Sequence, residues 1–227
     1  MGVAYNTKIV TDGLQLCLDA ANRKSYPGSG TTWTDLSGNG INGTLTNMEI
    51  PGDYLTTNGG FFDFGGSDER IALGTPSTLQ FSSSFTIDIW FRMPVRQIGT
   101  LISYGDSSWM LYLEPDSGGT VRIALAKSKV TNDGSQVKFL PDANVWHHDV
   151  CVFTNTSSFV LHYFDGTLYS VGTIPLAFSF SNTLNIGYAD NEGYYFPGDI
   201  ASVKLYNRAL TASEARQNYL ATKSRYI

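Results

Sequence analysis

The sequence predicts an all-β fold: two antiparallel sheets packed face to face, with one short helix near the C-terminus. Three observations predict it. Apolar and polar residues alternate with period two through most of the chain, which sends successive side chains to opposite faces of a strand. Asp or Asn precedes Gly at Asp12, Asn39, Asn42, Asn58, Asp133 and Asp165, and such pairs tolerate the positive φ of tight hairpin turns. About a dozen strand-like runs follow one another at short intervals with no helical period between them, which argues against alternating strands and helices.

The elements follow in order. Residues 1–55 are rich in Gly, Asn and Thr, especially SGTTWTDLSGNGINGTLTN. They hold too few apolar residues to fold alone, so they are expected to form an N-terminal arm or edge integrated with a main unit over 56–227. In SFTIDIWFRM, Phe85, Ile87, Ile89, Phe91 and Met93 alternate with Thr86, Asp88, Trp90 and Arg92. WMLYLEP aligns Trp109, Leu111 and Leu113, and TVRIALAK aligns Val121, Ile123 and Leu125 against Arg122, Ala124 and Ala126. SFVLHYFDGTLYSV reads as a hairpin turning at Asp165-Gly166. Near the end, Thr211 and Glu214 have the spacing of a capping box, with Ala215, Tyr219 and Leu220 recurring at helical intervals behind them.

Composition narrows the functional classes. The 227 residues carry 15 Lys and Arg against 20 Asp and Glu, a formal net charge of −5, with no basic cluster. Such a chain cannot neutralise a phosphate backbone, so no nucleic-acid partner is expected. No stretch approaches the length of a membrane span, and the opening MGVAYNTKIV lacks the pattern of a signal peptide. Cys17 and Cys151 each lie in an apolar run; they read as two buried thiols or as one bridge between neighbouring strands.

Five blocks carry a resemblance to a known family: GGFFDFGGSDERIALG, SFTIDIWFRM, GTLISYGDSSWMLYLE, NVWHHDVCVFTNTSSFVLHYFDGTLYSV and TLNIGYADNEGYYFPGDIASVKLYNRALTASEA. Their order over residues 60–223, closing in a G-x-I-x-x-V-x-[LI]-Y-N-R-A-L-[ST]-x-x-E pattern at 198–214, resembles the laminin-G-like, concanavalin-A-like lectin/glucanase superfamily. The resemblance implies a two-sheet jelly roll. The block over 13–47 is similar to segments that precede such domains in structural proteins of tailed bacteriophages. That likeness implies a virion protein, assembled in host cytoplasm, present in many copies or as an oligomer. Its expected partners are other virion proteins of capsid or tail, and host-surface polysaccharide.

Catalytic chemistry has little to stand on. Glucanases of the superfamily use an E-x-D-x-x-E strand to place two carboxylates on one face. Here the nearest approach is Glu114-Pro115-Asp116, read as a strand end running into a turn. His147 and His148 read as packing and strand-edge residues, so no catalytic residue is assigned and a non-enzymatic protein is expected. A calcium site is the metal expectation. Calcium takes six to eight oxygens, and the resemblance to pentraxin-type relatives implies Asp106 in one loop with Asp190, Asn191 and Glu192 in another. For a saccharide, an aromatic platform beside polar groups is needed, and Trp109, Tyr194, Tyr195 and Phe196 are the candidates. Trp90, sharing a strand face with Asp88 and Arg92, reads either as such a platform or as an inter-sheet or helix-contact residue.

Overall fold

A computed structural model of the chain describes residues 8–105, 108–126, 137–174, 178–190 and 193–227. Sixteen strands lie among the described residues. The N-terminal segment contributes β1 (Leu14–Asp19), β2 (Thr32–Trp33), β3 (Gly43–Thr46) and β4 (Tyr54–Leu55). There follow β5 (Phe61–Gly65), β6 (Arg70–Gly74), β7 (Phe85–Arg92), β8 (Gly99–Ser103), β9 (Met110–Pro115) and β10 (Val121–Ala126). The rest are β11 (Val137–Phe139), β12 (Trp146–Thr154), β13 (Phe159–Phe164), β14 (Thr167–Thr173), β15 (Leu184–Ile186) and β16 (Pro197–Tyr206), then helix α1 (Ala212–Thr222).

All the pairings are antiparallel and make two sheets. The first runs β14-β13-β12-β7-β16-β5-β4, with β1 also pairing β16. The second runs β11-β10-β9-β8-β15-β6-β3-β2. The long strand β16 organises the first sheet: β7 lies along one side, while β5 pairs its first residues and β1 its last. The N-terminal segment is thus divided, with β1 and β4 in the first sheet and β2 and β3 in the second.

Between the sheets lies an apolar core that follows the alternation. Phe85, Ile87, Ile89 and Phe91 of β7 meet Leu111 and Leu113 of β9 and Val121, Ile123 and Leu125 of β10 in one buried cluster. Aromatic edges fill it, with Phe85 5.3 Å from Trp109 and 5.2 Å from Phe153. The 165–166 turn has the expected positive φ at both residues, +49° and +79°. Gly166 has a second reason to be glycine, since a Cβ there would lie 2.4 Å from the Tyr219 ring of α1.

Helix α1 covers the outer face of the first sheet. Its capping box is formed: Thr211 Oγ1 accepts from the Glu214 backbone N–H, and Glu214 accepts from the Thr211 N–H at 2.9 Å. The face it buries differs from the apolar spacing read in the sequence. Ala215, Asn218 and Thr222 are buried, whereas Leu220 is exposed and Tyr219 half-buried. The helix docks partly through polar groups, because the strand face beneath it carries charge. Cys17 points to this outer face, beside Lys204, while Cys151 points into the inter-sheet core. The two sulfurs form no bridge.

Candidate functional site

The loop between β15 and β16 is built from its stem outward. Gly187 adopts φ +80°, and a Cβ there would come within 2.5 Å of the Phe64 ring, so the chain can turn at this point only through glycine. The Phe196 N–H donates to the Gly187 carbonyl at 2.9 Å and closes the stem. Phe196 is fully buried beside Phe64, at 6.2 Å between centroids. The next residues outward are Tyr188 and Tyr195. Their rings stack at 4.4 Å with an interplanar angle of 21°.

The Arg70 guanidinium from β6 lies over the Tyr188 ring at 5.6 Å. No ion pair involving Arg70 occurs among the described residues. Ala189 is buried on the outer face of the second sheet with Met110, Tyr112, Ala124 and Ala126. That contact lays the loop against the sheet and leaves Tyr188, Asp190, Tyr194 and Tyr195 half-buried. Burial first, then Tyr195 and Asp190 nearby, raise the Tyr188 hydroxyl above its usual range, with Arg70 opposing. It stays protonated and able to donate a hydrogen bond at neutral pH. The arrangement is a two-ring platform flanked by one cation and one carboxylate.

The expected site residues therefore separate. Tyr194, Tyr195 and Asp190 lie together on this loop. Two expectations are corrected. Trp109 has no exposed surface and packs between the sheets, edge-on to Tyr104 at 5.5 Å; it continues the inward register of Leu111 and Leu113. Phe196 is the loop's buried anchor and not a ring presented to ligand. Asp106, Asn191 and Glu192 lie outside the described residues. Tyr188 and Arg70 are not singled out by the sequence, although Tyr188 stands one residue beyond the β15 apolar run, as Tyr195 stands two before β16.

The Asp88, Trp90 and Arg92 face is used for packing. Asp88 is fully buried and accepts from Lys204 Nζ at 2.8 Å and from Asn218 Nδ2 at 2.8 Å, with His148 Nε2 at 3.1 Å. Burial alone would raise the Asp88 carboxyl, but Lys204 and His148 overcome it and hold the group well below the usual range. Asn218 continues the network: it donates to Tyr206 Oη at 2.9 Å and accepts from the Val10 N–H at 2.8 Å. Trp90 stacks on His148 at 4.8 Å and donates Nε1 to Thr222 Oγ1 at 2.8 Å. Arg92 pairs with Asp199 at 2.6 Å. The bond from Trp90 to Thr222 of α1 makes Trp90 a helix-contact residue.

Two further polar clusters lie elsewhere. A cavity of about 500 Å³ opens between β1 and the end of α1, with Cys17, Asp19, Ser202, Lys204, Thr222 and Arg225 in its walls. Two of its cations are already paired, Lys204 with Asp88 and Arg225 with Asp19 at 2.7 Å, while Lys8 also lines it. On the inner face, His162 Nδ1 sits 3.0 Å from Asp149 Oδ2, and Cys151 Sγ lies 4.0 Å from His162 Nε2. Among the described residues, this is the one group of three metal-ligating side chains whose donor atoms lie within 4.8 Å of one another. All three are fully buried, and Asp190 belongs to no such group.

Glu114 and Asp116 are also accounted for. Glu114 pairs with Arg122 across the β9–β10 ladder. Asp116 accepts from Thr120 Oγ1 and the Gly118 N–H, each at 2.8 Å, and closes the turn.

Comparison with known proteins places this geometry in a family. A family described as the concanavalin A-like lectin/glucanases superfamily, of laminin-G type, matches residues 64–216. No curated protein sequence matches the chain. Among solved structures, a botulinum neurotoxin type C chain, whose route into cells is dependent upon interaction with two ganglioside molecules, superposes with a TM-score of 0.64 at 17% identity. That match covers 92% of this chain and 52% of the toxin chain. The receptor binding domain of botulinum neurotoxin type G gives 0.62 at 19% identity, over 92% of this chain and 51% of that one. Trypanosoma rangeli sialidase in complex with sialic acid gives 0.63 at 14% identity, over 94% of this chain and 33% of that one. The chain spans about half the length of the toxin chains and a third of the sialidase chain, and at these identities the likeness is one of fold. With the family match spanning some two thirds of its length, the chain belongs to the concanavalin A-like lectin/glucanase superfamily.

Proposed function

We propose that the protein is a non-catalytic saccharide-binding module whose ligand rests on the loop between β15 and β16. The stacked Tyr188–Tyr195 pair carries the reading. Sugar rings present C–H faces that pack on aromatic rings, while their hydroxyls need donors and acceptors fixed in direction. Arg70 supplies N–H donors, Asp190 supplies a carboxylate, and the Tyr188 hydroxyl does both. The gangliosides and sialic acid named with the structural relatives agree with a ligand of this class. The non-catalytic part rests on Glu114 and Asp116, the nearest sequence approach to a glucanase pair, being consumed by Arg122 and by a turn.

Calcium belongs to the same proposal, held by Asp106, Asp190, Asn191 and Glu192; its support is their sequence pattern. A glycan array probed with the labelled full chain tests the reading, with hits confirmed by calorimetry. Binding that drops at least about tenfold in Tyr195→Ala, equivalent to roughly 1.4 kcal/mol, is expected, and weaker binding in EDTA if calcium takes part. Wild-type affinity in both Tyr188→Ala and Tyr195→Ala would remove the platform from the account.

A second reading places the module on a tailed-phage particle, as a structural or decoration protein in contact with capsid or tail. It rests on the block at 13–47 and on the 15% charged content, suited to close packing of neighbours. Mass spectrometry of purified particles tests it: hundreds of copies are expected for a capsid surface and a handful for a tail, whereas none would end the reading.

A further inference from the structure

The cavity between β1 and the end of α1 has a floor set by strand register. Cys17 of β1 stands opposite Lys204 of β16, and Asp19 opposite Ser202. On the other side of β16, Lys204 is paired with Asp88 and Ser202 with Trp90 in β7. Helix α1 covers the β7 side through Asn218 and Thr222. It ends there, and the β1 side is left as a cavity of about 500 Å³, within the roughly 300–1,000 Å³ of small-molecule sites. Leu14 and Leu36 add apolar wall, and Lys8 stands at the rim, where Gln217 Nε2 of α1 donates to its carbonyl at 2.8 Å.

One polar group on the floor is unsatisfied. Ser202 is 2% exposed, and its Oγ has no hydrogen-bond partner among the described residues, a state that works against folding unless a ligand fills it. The other unused capacity around it is mostly donor. Lys204 Nζ carries three N–H groups, and Asp88 takes one at 2.8 Å. Arg225 carries five, with Nη1 bonded to Asp19 at 2.7 Å. Lys8 is exposed and enters no ion pair among the described residues. The carboxylate in the wall, Asp19, is occupied by Arg225 and by the Ala21 N–H at 3.0 Å. Cys17 adds no negative charge, because burial pushes its thiol up to about 11. Lys8, Lys204 and Arg225 thus face Asp19 alone in the lining, and an excess of positive charge remains even with Asp88 behind Lys204.

We propose that this cavity binds a small organic anion, with its carboxylate or phosphate group on Ser202 Oγ and Lys204 Nζ and its apolar body against Leu14 and Leu36. The oxygens of such a group are pure acceptors, which is what the Ser202 hydroxyl and the spare N–H groups of Lys204 and Arg225 lack. Charge and hydrogen bonding both select against a neutral saccharide here. Its hydroxyls must donate as well as accept, and the one carboxylate in the wall is already taken. Lys8 and Arg225 at the rim draw an anion toward the buried floor in a chain that otherwise repels it, with a net charge of −5. The site lies on the first sheet, apart from the tyrosine pair on the second.

Amide NMR and thermal unfolding of the full chain test this, with benzoate and phenyl phosphate as probes and benzamide as the neutral control. Saturable shifts at Ser202, Lys204 and Arg225 are expected, with a raised unfolding midpoint, and neither with benzamide. A response to benzoate alone assigns a carboxylate ligand, and one to phenyl phosphate alone a phosphate ester. Ser202→Ala should lower the affinity at least about tenfold, the size of a hydrogen bond to a charged group. Its midpoint without ligand should stay at or above that of the native chain, because an unpartnered hydroxyl has been removed. Lys8→Glu, at an exposed position, should weaken binding about fivefold and flatten its dependence on salt. No shift from either anion up to about 10 mM, ten times a millimolar Kd, overturns the proposal. So do equal shifts from benzamide, an affinity unchanged in both variants, or shifts that fall on Tyr188 and Tyr195 in place of the cavity.

Discussion

Asp88 shows how one residue ties strand, helix and chain start together. Its carboxylate binds Lys204 and Asn218, and through Asn218 reaches Val10. Removing one partner of a buried ion pair leaves the other charge unpaired in a dry site, which costs about 3–5 kcal/mol. Asp88→Ala should lose that amount in urea unfolding. The pH dependence has a definite sign. The Asp88 carboxyl is depressed, so its contribution is present above the ordinary carboxylate pKa near ~3.9 and fades as pH falls below it. Lys204 is raised: burial opposes its charge, but Asp88 beside it prevails. Its contribution is complete below the ordinary lysine pKa near ~10.4 and is lost only above it. Unfolding midpoints should therefore hold across neutral pH and fall more steeply below about pH 4 in the native chain than in Asp88→Asn. A second residue-scale expectation concerns the thiols. Burial pushes Cys17 up to about 11, and Cys151 has no exposed surface. Neither should react with a disulfide reagent at about pH 8 in the native state, and both should react in denaturant.

At the scale of elements, the period-two pattern was a reliable guide wherever a strand had one face in the core. Phe85 to Phe91 and Val121 to Leu125 lie where alternation put them. The same rule already pointed Trp109 inward with Leu111, and its place after a polar loop misled. Loop neighbours say less about orientation than strand register does. The network under α1 was not legible for a different reason. Asp88, His148 and Lys204 meet only through the β12–β7–β16 register, and nothing local in any of the three strands signals it. Capping was legible because it is local: Thr211 and Glu214 are three residues apart. Glu214 also pairs with Arg208 at 2.6 Å, and the Arg208 hydrogen bond leads in holding it down to about 2. Thr211→Ala should cost about 1 kcal/mol in thermal or urea unfolding. Gly166→Ala should cost more, since it sets a methyl against Tyr219 in a left-handed turn.

Over the whole molecule, the two sheets divide the labour. The outer face of the first carries α1 and the buried charge network; the outer face of the second carries the loop with the tyrosine pair. The fold could be read in advance because it repeats one rule over many strands. The candidate site could be read only in part: Asp190, Tyr194 and Tyr195 stand in one sequence loop, but Tyr188 and Arg70 join them only through where that loop is pinned. Gly187 and Phe196 fix the stem, and only that geometry stacks Tyr188 on Tyr195 and brings the Tyr188 ring beneath Arg70. Amide and aromatic NMR spectra recorded while the best array ligand is added test whether saccharide rests on the tyrosine pair. The largest shifts are expected on Arg70, Tyr188, Asp190 and Tyr195. Shifts confined to the cavity between β1 and α1, or absent at the tyrosine pair under saturating ligand, would contradict it.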